Sequence, residues 1–290
     1  MTQLSFGVDI PTIASPGIDP VGQARAAEDL GFDFVSASDH PCGTNPSHEV
    51  WTMLTWIAAS TSRVRVATRV LGMPYRSPAM VAKMAETLDR LSDGRLILGI
   101  GAGYSDEEFA AFGLDVPSPA EKITGLREAV SVIRGLWSQE QFSFTGQRYR
   151  TQVADLEPKP AHHIPIWLGT FGERALQVTG QVADGWIPSL GHAPAEALPA
   201  MRDRVLAAAT AAGRAPEEII CALNVQVHVG SEVESQPDVI AGSSGQVVAR
   251  LNDFISAGFS TFNFMPFGPS TSEQVERIAT EVIPALRALG

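Results

Sequence analysis

The sequence predicts an α/β fold, a (β/α)8 TIM barrel with an irregular insertion between strands 4 and 5. Three observations carry that expectation. Short β-rich runs alternate with amphipathic helical stretches along the chain, the alternation counts eight of each, and no linker-like or low-complexity break divides them. A single domain over residues 1–290 follows, and 290 residues that are 44% hydrophobic can fill one large core. The competing fold is an open doubly wound sheet, which usually stops at about five to seven strands and carries a dinucleotide fingerprint after the first.

Taken in order, the first strand is read at Leu4–Ile10. Asp19 as N-cap and Pro20 at the first helical position open a helix that Gly31 ends. Phe32–Ala37 is the second strand and Glu49–Ala59 its helix. Val64–Val70 is the third strand, followed by a helix over Pro78–Leu91 that Ser77 caps. Leu96–Ile100 is the fourth, followed by Asp106–Phe112 and Ala120–Trp137, the latter begun by Ser118-Pro119. The polar stretch "SQEQFSFTGQRYRTQVADLEPKP" then holds a hairpin around Thr145-Gly146 and lies over the surface. Four more pairs complete the count: Ile166–Gly169 with Glu173–Val182, Gly185–Pro188 with Ala195–Ala212, Ile219–Val229 with Gln246–Ala257, and Thr261–Met265 with Ser272–Leu289.

The segment "RLILGIGAGYSDEEFAAFG" looks like a nucleotide-binding turn. The dinucleotide fingerprint is G-x-G-x-x-G, but counting from Gly99 its last position is Tyr104, and counting from Gly101 it is Asp106. The glycines also follow the fourth strand rather than the first. They belong to a barrel loop.

A formal charge of -11 and no cluster of Lys and Arg argue against a nucleic-acid or anionic-membrane partner. Cys42 and Cys221 stand far apart without C-x-x-C spacing, which fits a reducing compartment. Met1–Asp9 has no basic start followed by an apolar stretch, and no apolar run approaches the roughly 18 residues of a spanning helix. A soluble cytoplasmic protein is expected.

Barrel enzymes place their sites at the C-terminal strand ends. Those ends offer Pro11 and Thr12, Ser38-Asp39-His40, Arg69-Val70-Leu71, Gly101-Ala102-Gly103-Tyr104, Gly169-Thr170-Phe171-Gly172, Ile187-Pro188-Ser189, His228, and Pro266-Phe267. Asp39 and His40 bring an acceptor beside a group able to exchange a proton near neutrality, or else a loop cap beside a space-filling ring. Gly101-Ala102-Gly103 has so little bulk that a flat ligand can rest on it, or it is a tight turn needing unusual φ. Gly169 to Gly172 opens a helix whose free N–H groups can hold a phosphate. His162-His163 lacks spaced carboxylate partners, so no metal site is expected. His48-Glu49 is the approach to a helix, and Trp51 and Trp56 are packing residues. Neither G-x-S-x-G nor G-x-x-x-x-G-K-[ST] is present, which removes support for hydrolase and kinase classes.

"LDRLSDGRLILGIGAGYSDEEFAAFGLD", "IPIWLGTFGERALQVTGQVADGWIP" and "GFDFVSASDH" resemble the signatures of the bacterial luciferase-like superfamily, in order and over essentially the whole chain. The resemblance implies one of two chemistries: reduced FMN with oxygen in a monooxygenase, or hydride transfer with the deazaflavin coenzyme F420. Compact length and Ser38-Asp39-His40 resemble the F420 group. The resemblance then gives Asp39 a hydrogen-bonding role beside the ring and His40 a polarising or proton-transfer role. It places a non-prolyl cis peptide that backs the ring at Arg69-Val70, the ring or its chain along Gly101, Ala102 and Gly103, and the phosphate at Gly169, Thr170, Phe171 and Gly172. Arg76, Lys83 or Arg148 would meet the acidic tail. The family's sugar-phosphate dehydrogenases carry a Trp four residues beyond the His and a Glu after the glycine loop; here those positions are Thr44 and Tyr104. Reduction of C=C, C=N or C=O in a small molecule is therefore expected, with Tyr104 a proton donor or a pocket wall. Specificity is expected in Thr12, Cys42 to His48, Ser138 to Pro160 and Ser189 to Pro194, and the enzyme as a homodimer paired through outer helices.

Overall fold

The computed structural model describes residues 3–234, 236–268 and 270–289. Met1 and Thr2, the head of the segment read for an export signal, lie outside these, as does Gly290, the end of the expected domain. Eight parallel strands close into a barrel: β1 (Ser5–Asp9), β2 (Phe34–Ala37), β3 (Arg65–Thr68), β4 (Leu96–Gly101), β5 (Ile166–Leu168), β6 (Gly185–Trp186), β7 (Ile220–Val229) and β8 (Thr261–Pro266). Each pairs with the next, and β8 pairs back onto β1 with Ser5 opposite Thr261. The barrel expected from the alternation is the barrel observed.

The helices outside it are α1 (Pro20–Asp29), α2 (Val50–Ser60), α3 (Pro78–Leu91), α4 (Pro119–Ser138), α5 (Glu173–Val182), α6 (Leu198–Ala211) and α7 (Ser244–Ser256), with a short helix at Asp106–Ala111 ahead of α4 and a closing segment over 271–289. Asp19 caps α1 by accepting from the Gly22 amide. Ser118 and Glu121 close a reciprocal capping box on α4, and Ser243 and Gln246 do so on α7. Ser77 precedes α3 but makes no capping bond. A 3-10 turn at Ala195–Ala197 leads into α6, so the helix expected over 195–212 begins later. The closing segment widens into a π-helical turn at Ile278–Val282, because Pro284 has no N–H to continue the regular ladder.

Strand 3 is shorter than expected. It stops at Thr68, turns through a cis peptide at Arg69–Val70, and rejoins the sheet at Leu71–Gly72 beside Ile100 and Gly101. The insertion is an antiparallel hairpin of Phe142–Thr145 and Arg150–Ala154. It is pinned to α4, whose Glu128 accepts from the amides of Gln147, Arg148 and Tyr149 at 2.7, 2.8 and 3.0 Å.

Alternation along the strands sorts their side chains. Residues such as Phe6, Val35, Leu98 and Phe264 face the helices in one large core. Phe34, Ala67, Ile97, Trp167, Ile187 and Ala222 form a separate buried cluster that plugs the barrel interior. Inside, Ser36 donates to Asn263. This plug leaves the C-terminal mouth as the place for a ligand.

Candidate active site

A cavity of about 650 Å3 opens at the C-terminal ends of β2 to β7. The residues to which the resemblance gives catalytic or cofactor-binding roles line it: Asp39 and His40, Arg69 and Val70, Gly101 to Tyr104, and Gly169 to Gly172.

Its floor is the Val70 side chain, presented by the cis peptide. The strand-end glycines make room for this bulge. A Cβ on Gly101 would stand 2.8 Å from a Val70 methyl, one on Gly169 would stand 3.2 Å away, and one on Gly99 would stand 2.0 Å from the Thr68 carbonyl oxygen. Part of the glycine pattern therefore serves protein packing. Gly103 has φ +93°, and a Cβ there would meet the Phe109 ring at 2.5 Å. Gly103 is thus a tight turn that needs its positive φ, and it lines the cavity.

Asp39 is buried and fully engaged. Its carboxylate accepts from the Gly72 amide at 2.8 Å and from Arg76 at 2.7 and 3.1 Å, a bidentate pair. Arg76 also donates to Glu49 at 2.6 Å, and that carboxylate caps α2. Burial opposes the Arg76 charge, but Asp39 and Glu49 outweigh it and raise its pKa. Arg76 is thus committed to the wall and does not wait for an acidic tail. Lys83 is held by Glu86 and the Glu157 carbonyl, and Arg148 by Glu121. Arg69 bonds Asp9 at 2.9 Å.

His40 stands half-exposed at the mouth, its Nδ1 2.9 Å from Oε1 of Glu108. The Tyr75 hydroxyl donates to the other oxygen of the same carboxylate at 2.7 Å. Burial, then the hydrogen bond and charge of Glu108, raise the Tyr75 pKa, so this phenol keeps its proton.

On the opposite wall, Thr170 is buried, with its hydroxyl on Thr179 at 2.7 Å and its carbonyl taking the Trp186 indole N–H at 2.9 Å. Because the Thr179 hydroxyl itself donates to Ala175, that of Thr170 donates inward. Only the backbone of Thr170 is left for a ligand. Gly172 precedes α5 with no side-chain cap, so the first amides of that helix are open. Phe171 stacks on His192 at 5.4 Å between ring centres, and Tyr104 meets the other side of His192 edge-on at 5.7 Å. Tyr104 is 79% exposed, a rim residue.

Several expectations are corrected. His228 is buried, bonded to the Phe267 carbonyl at 2.7 Å and to Glu232 at 3.1 Å, and does not reach the cavity. Pro11, Thr12, Pro266 and Phe267 also lie outside its lining, as do Cys42 to His48 and the whole 138–160 insertion. The hairpin is held back by Glu128. Trp51 is buried, but Trp56 is 69% exposed and so is not core. His192 and Ser189 bear out the 189–194 segment as part of the lining, but sequence reasoning missed Tyr75 and Asn224, from a 3-10 turn and a strand interior, and Glu108, from a helix, which bonds two lining residues.

A sequence model of the family described as luciferase-like monooxygenase matches residues 15–239. The chain belongs to that family. Among its relatives, an F420-dependent glucose-6-phosphate dehydrogenase of Kineococcus radiotolerans is 30% identical, with 91% of each chain covered. A solved F420-dependent secondary alcohol dehydrogenase, in complex with an F420-acetone adduct, superposes with a TM-score of 0.88 at 20% identity, over 98% of this chain and 99% of that one. The coenzyme F420-dependent tetrahydromethanopterin reductase from Methanopyrus kandleri gives 0.83 at 21% identity, over 98% and 99%. At that identity the two structures speak for the luciferase-like barrel. No helix among the described residues is long and apolar enough to cross a membrane.

Proposed function

We propose that this chain is an F420-dependent oxidoreductase that transfers a hydride between the deazaflavin and a small, uncharged organic substrate with a C=C, C=N or C=O bond. The observation that carries this reading is a cavity with an apolar floor and, at its mouth, the imidazole of His40 held by a carboxylate. The lining suits a planar heterocycle. Val70 offers a face, and the buried side-chain oxygen of Asn224 lacks a partner among the described residues, an acceptor waiting for an N–H. When bound, F420 supplies a carbon that gives or takes the hydride. The open amides after Gly172 would hold its phosphate.

The chain's own work is orientation and proton handling. His40 delivers a proton to the atom made electron-rich as hydride arrives at its neighbour, or removes one in the reverse direction. Asp39, sealed by Arg76 and Gly72, fixes the loop that carries His40 rather than meeting substrate. A sugar phosphate is disfavoured by the lining, whose one Lys or Arg, Arg69, is already paired with Asp9, and by Thr44 and Tyr104. A single barrel domain over residues 1–290, working as a cytoplasmic homodimer without nucleic-acid or membrane partners, belongs to the same proposal. Exposed Trp56 on α2 gives such a dimer an apolar surface to bury, and light scattering of the purified protein measures it.

Quenching of the five tryptophans, titrated separately with F420 and with FMN, tests the cofactor. Tight F420 binding with weak FMN binding is expected; the reverse moves the protein to oxygen chemistry. His40→Ala should keep fold and F420 affinity while turnover falls on the order of a hundredfold. Unchanged turnover would reduce His40 to a packing residue.

A further inference from the structure

Four helices in this chain begin with the capping-box pattern, a Ser followed three residues later by Glu or Gln, and at one of them Ser270, ahead of Glu273, makes no side-chain capping bond. Two are closed: Glu121 returns to the amide of Ser118, and Gln246 to that of Ser243. The remaining one, Ser105 to Glu108, is left half open. Ser105 accepts from the Glu108 amide at 3.3 Å, but the Glu108 side chain turns away from the cap. It reaches His40 with one oxygen and Tyr75 with the other. A helix gives up a reciprocal cap bond, typically worth about 1 kcal/mol with its partner, for contacts with two residues that line the cavity.

We propose that Glu108 is a positioning residue that sets the tautomer and charge of His40. The inference rests on the reading of His40 as the proton-exchanging group. Tyr75, which keeps its proton, can only donate to Oε2. Facing Nδ1 through its other oxygen, a carboxylate can only accept there, and that requires a hydrogen on Nδ1 of His40. The neutral ring then presents a bare Nε2, the nitrogen free to meet substrate. In reduction, the imidazolium gives its Nε2 proton to the substrate atom that gains the electron pair, and the Nδ1 hydrogen stays on the ring. Solvent returns the proton, since the ring is half-exposed. In oxidation, the same bare Nε2 accepts the substrate proton as the hydride leaves. Glu108 holds the Nδ1 hydrogen, and with it the ring orientation, in both directions. The pattern that would end as a cap elsewhere here becomes the second member of a His–Glu–Tyr array.

The test begins without cofactor or substrate. Long-range nitrogen–proton NMR of the uniformly labelled protein reports the tautomer and titration midpoint of each of the six histidines, and the signal lost in His40→Gln identifies His40. The expected wild-type result is a neutral ring protonated on Nδ1. In Glu108→Gln the midpoint should fall by on the order of one pH unit, because the negative charge is gone while a side-chain acceptor remains. In Tyr75→Phe it should stay or rise, because the carboxylate loses a competing donor. A wild-type ring protonated on Nε2 overturns the proposal without any Glu108 variant. So does an unchanged midpoint in folded Glu108→Gln, or an equal fall in Tyr75→Phe. If the F420 reading holds, the pH limb of kcat moves with the NMR midpoint, with turnover down roughly tenfold in Glu108→Gln. If F420 does not bind, the NMR result still stands or falls alone.

Discussion

The two ends of the barrel use carboxylates differently. At the N-terminal end each one takes the backbone amide at which a strand enters, and the side-chain partners that three of them also have, Arg287 on Asp33, His162 on Asp89 and Arg134 on Asp184, come in addition to that amide. Glu28 accepts from Arg63 at 2.6 Å and Val64 at 2.8 Å before β3, Asp33 from Phe6 at 2.7 Å in β1, Asp89 from Leu96 at 3.2 Å in β4, and Asp184 from Ile166 at 2.8 Å in β5. At the C-terminal end the partners are mainly side chains: Arg69 on Asp9, Arg76 on Asp39, His40 and Tyr75 on Glu108. An amide bond fixes the chain path and nothing else. A side-chain partner can be titrated, displaced or exchanged. Stability is built at one end and chemistry at the other, as barrel architecture allows.

The sharpest way to break that division is at Asp39, where a top-end carboxylate is buried like a bottom-end one. Arg76→Met removes the bidentate partner and leaves the Asp39 charge stranded with one amide. Losing one member of a buried pair costs about 3–5 kcal/mol. The expected outcome is a large drop in urea midpoint, with weakened F420 binding because the His40 loop is no longer held. A variant as stable as the parent would show that the top end contributes nothing to folding.

Glu28→Gln probes the other end and should cost less, about 1–2 kcal/mol. Burial pushes the Glu28 carboxyl up, but the bonds from Val64, Arg63 and Ser62 outweigh it and lower its pKa from 4.5 to about 2. A depressed carboxyl stabilises the folded state above its unfolded pKa, and that contribution fades as pH falls from about 4.5 toward 2. The Tm gap between parent and variant should be full at pH 7 and closed near pH 2, while turnover per folded molecule stays unchanged at pH 7. A gap that does not vary with pH would assign the effect to packing.

How much of this was legible follows the same division. The strands and most helices announced themselves through periodicity and caps, because burial and capping are local. Asp39, His40 and the glycines sat on strand ends that the fold class alone marks. The residues missed act across the fold: Glu108 lies 68 positions from His40, and Asn224 comes from a strand interior. Ser105 to Glu108 reads as an ordinary capping box, and nothing local tells that its carboxylate is diverted. Thr170 was expected to offer a backbone N–H to a phosphate, and nothing in the sequence told that its hydroxyl is taken by Thr179 in the helix that follows. Strand-end position shows which loop surrounds a site but not which way each side chain turns.

The smallest effect is predicted at Tyr104, the residue weighed as proton donor or pocket wall. Its hydroxyl has no protein partner among the described residues, and its ring is the exposed end of the Phe171–His192–Tyr104 stack. Tyr104→Phe keeps that edge contact and removes only the hydroxyl. Stability should stay within about 0.5 kcal/mol and turnover within about threefold, set against the hundredfold loss expected in His40→Ala. Tyr104→Ala should instead raise KM, because the rim loses area rather than a proton. If Tyr104→Phe cost as much as His40→Ala, the proton would travel through the phenol. The active proton donor would then be a solvent-facing rim residue rather than the imidazole held by Glu108.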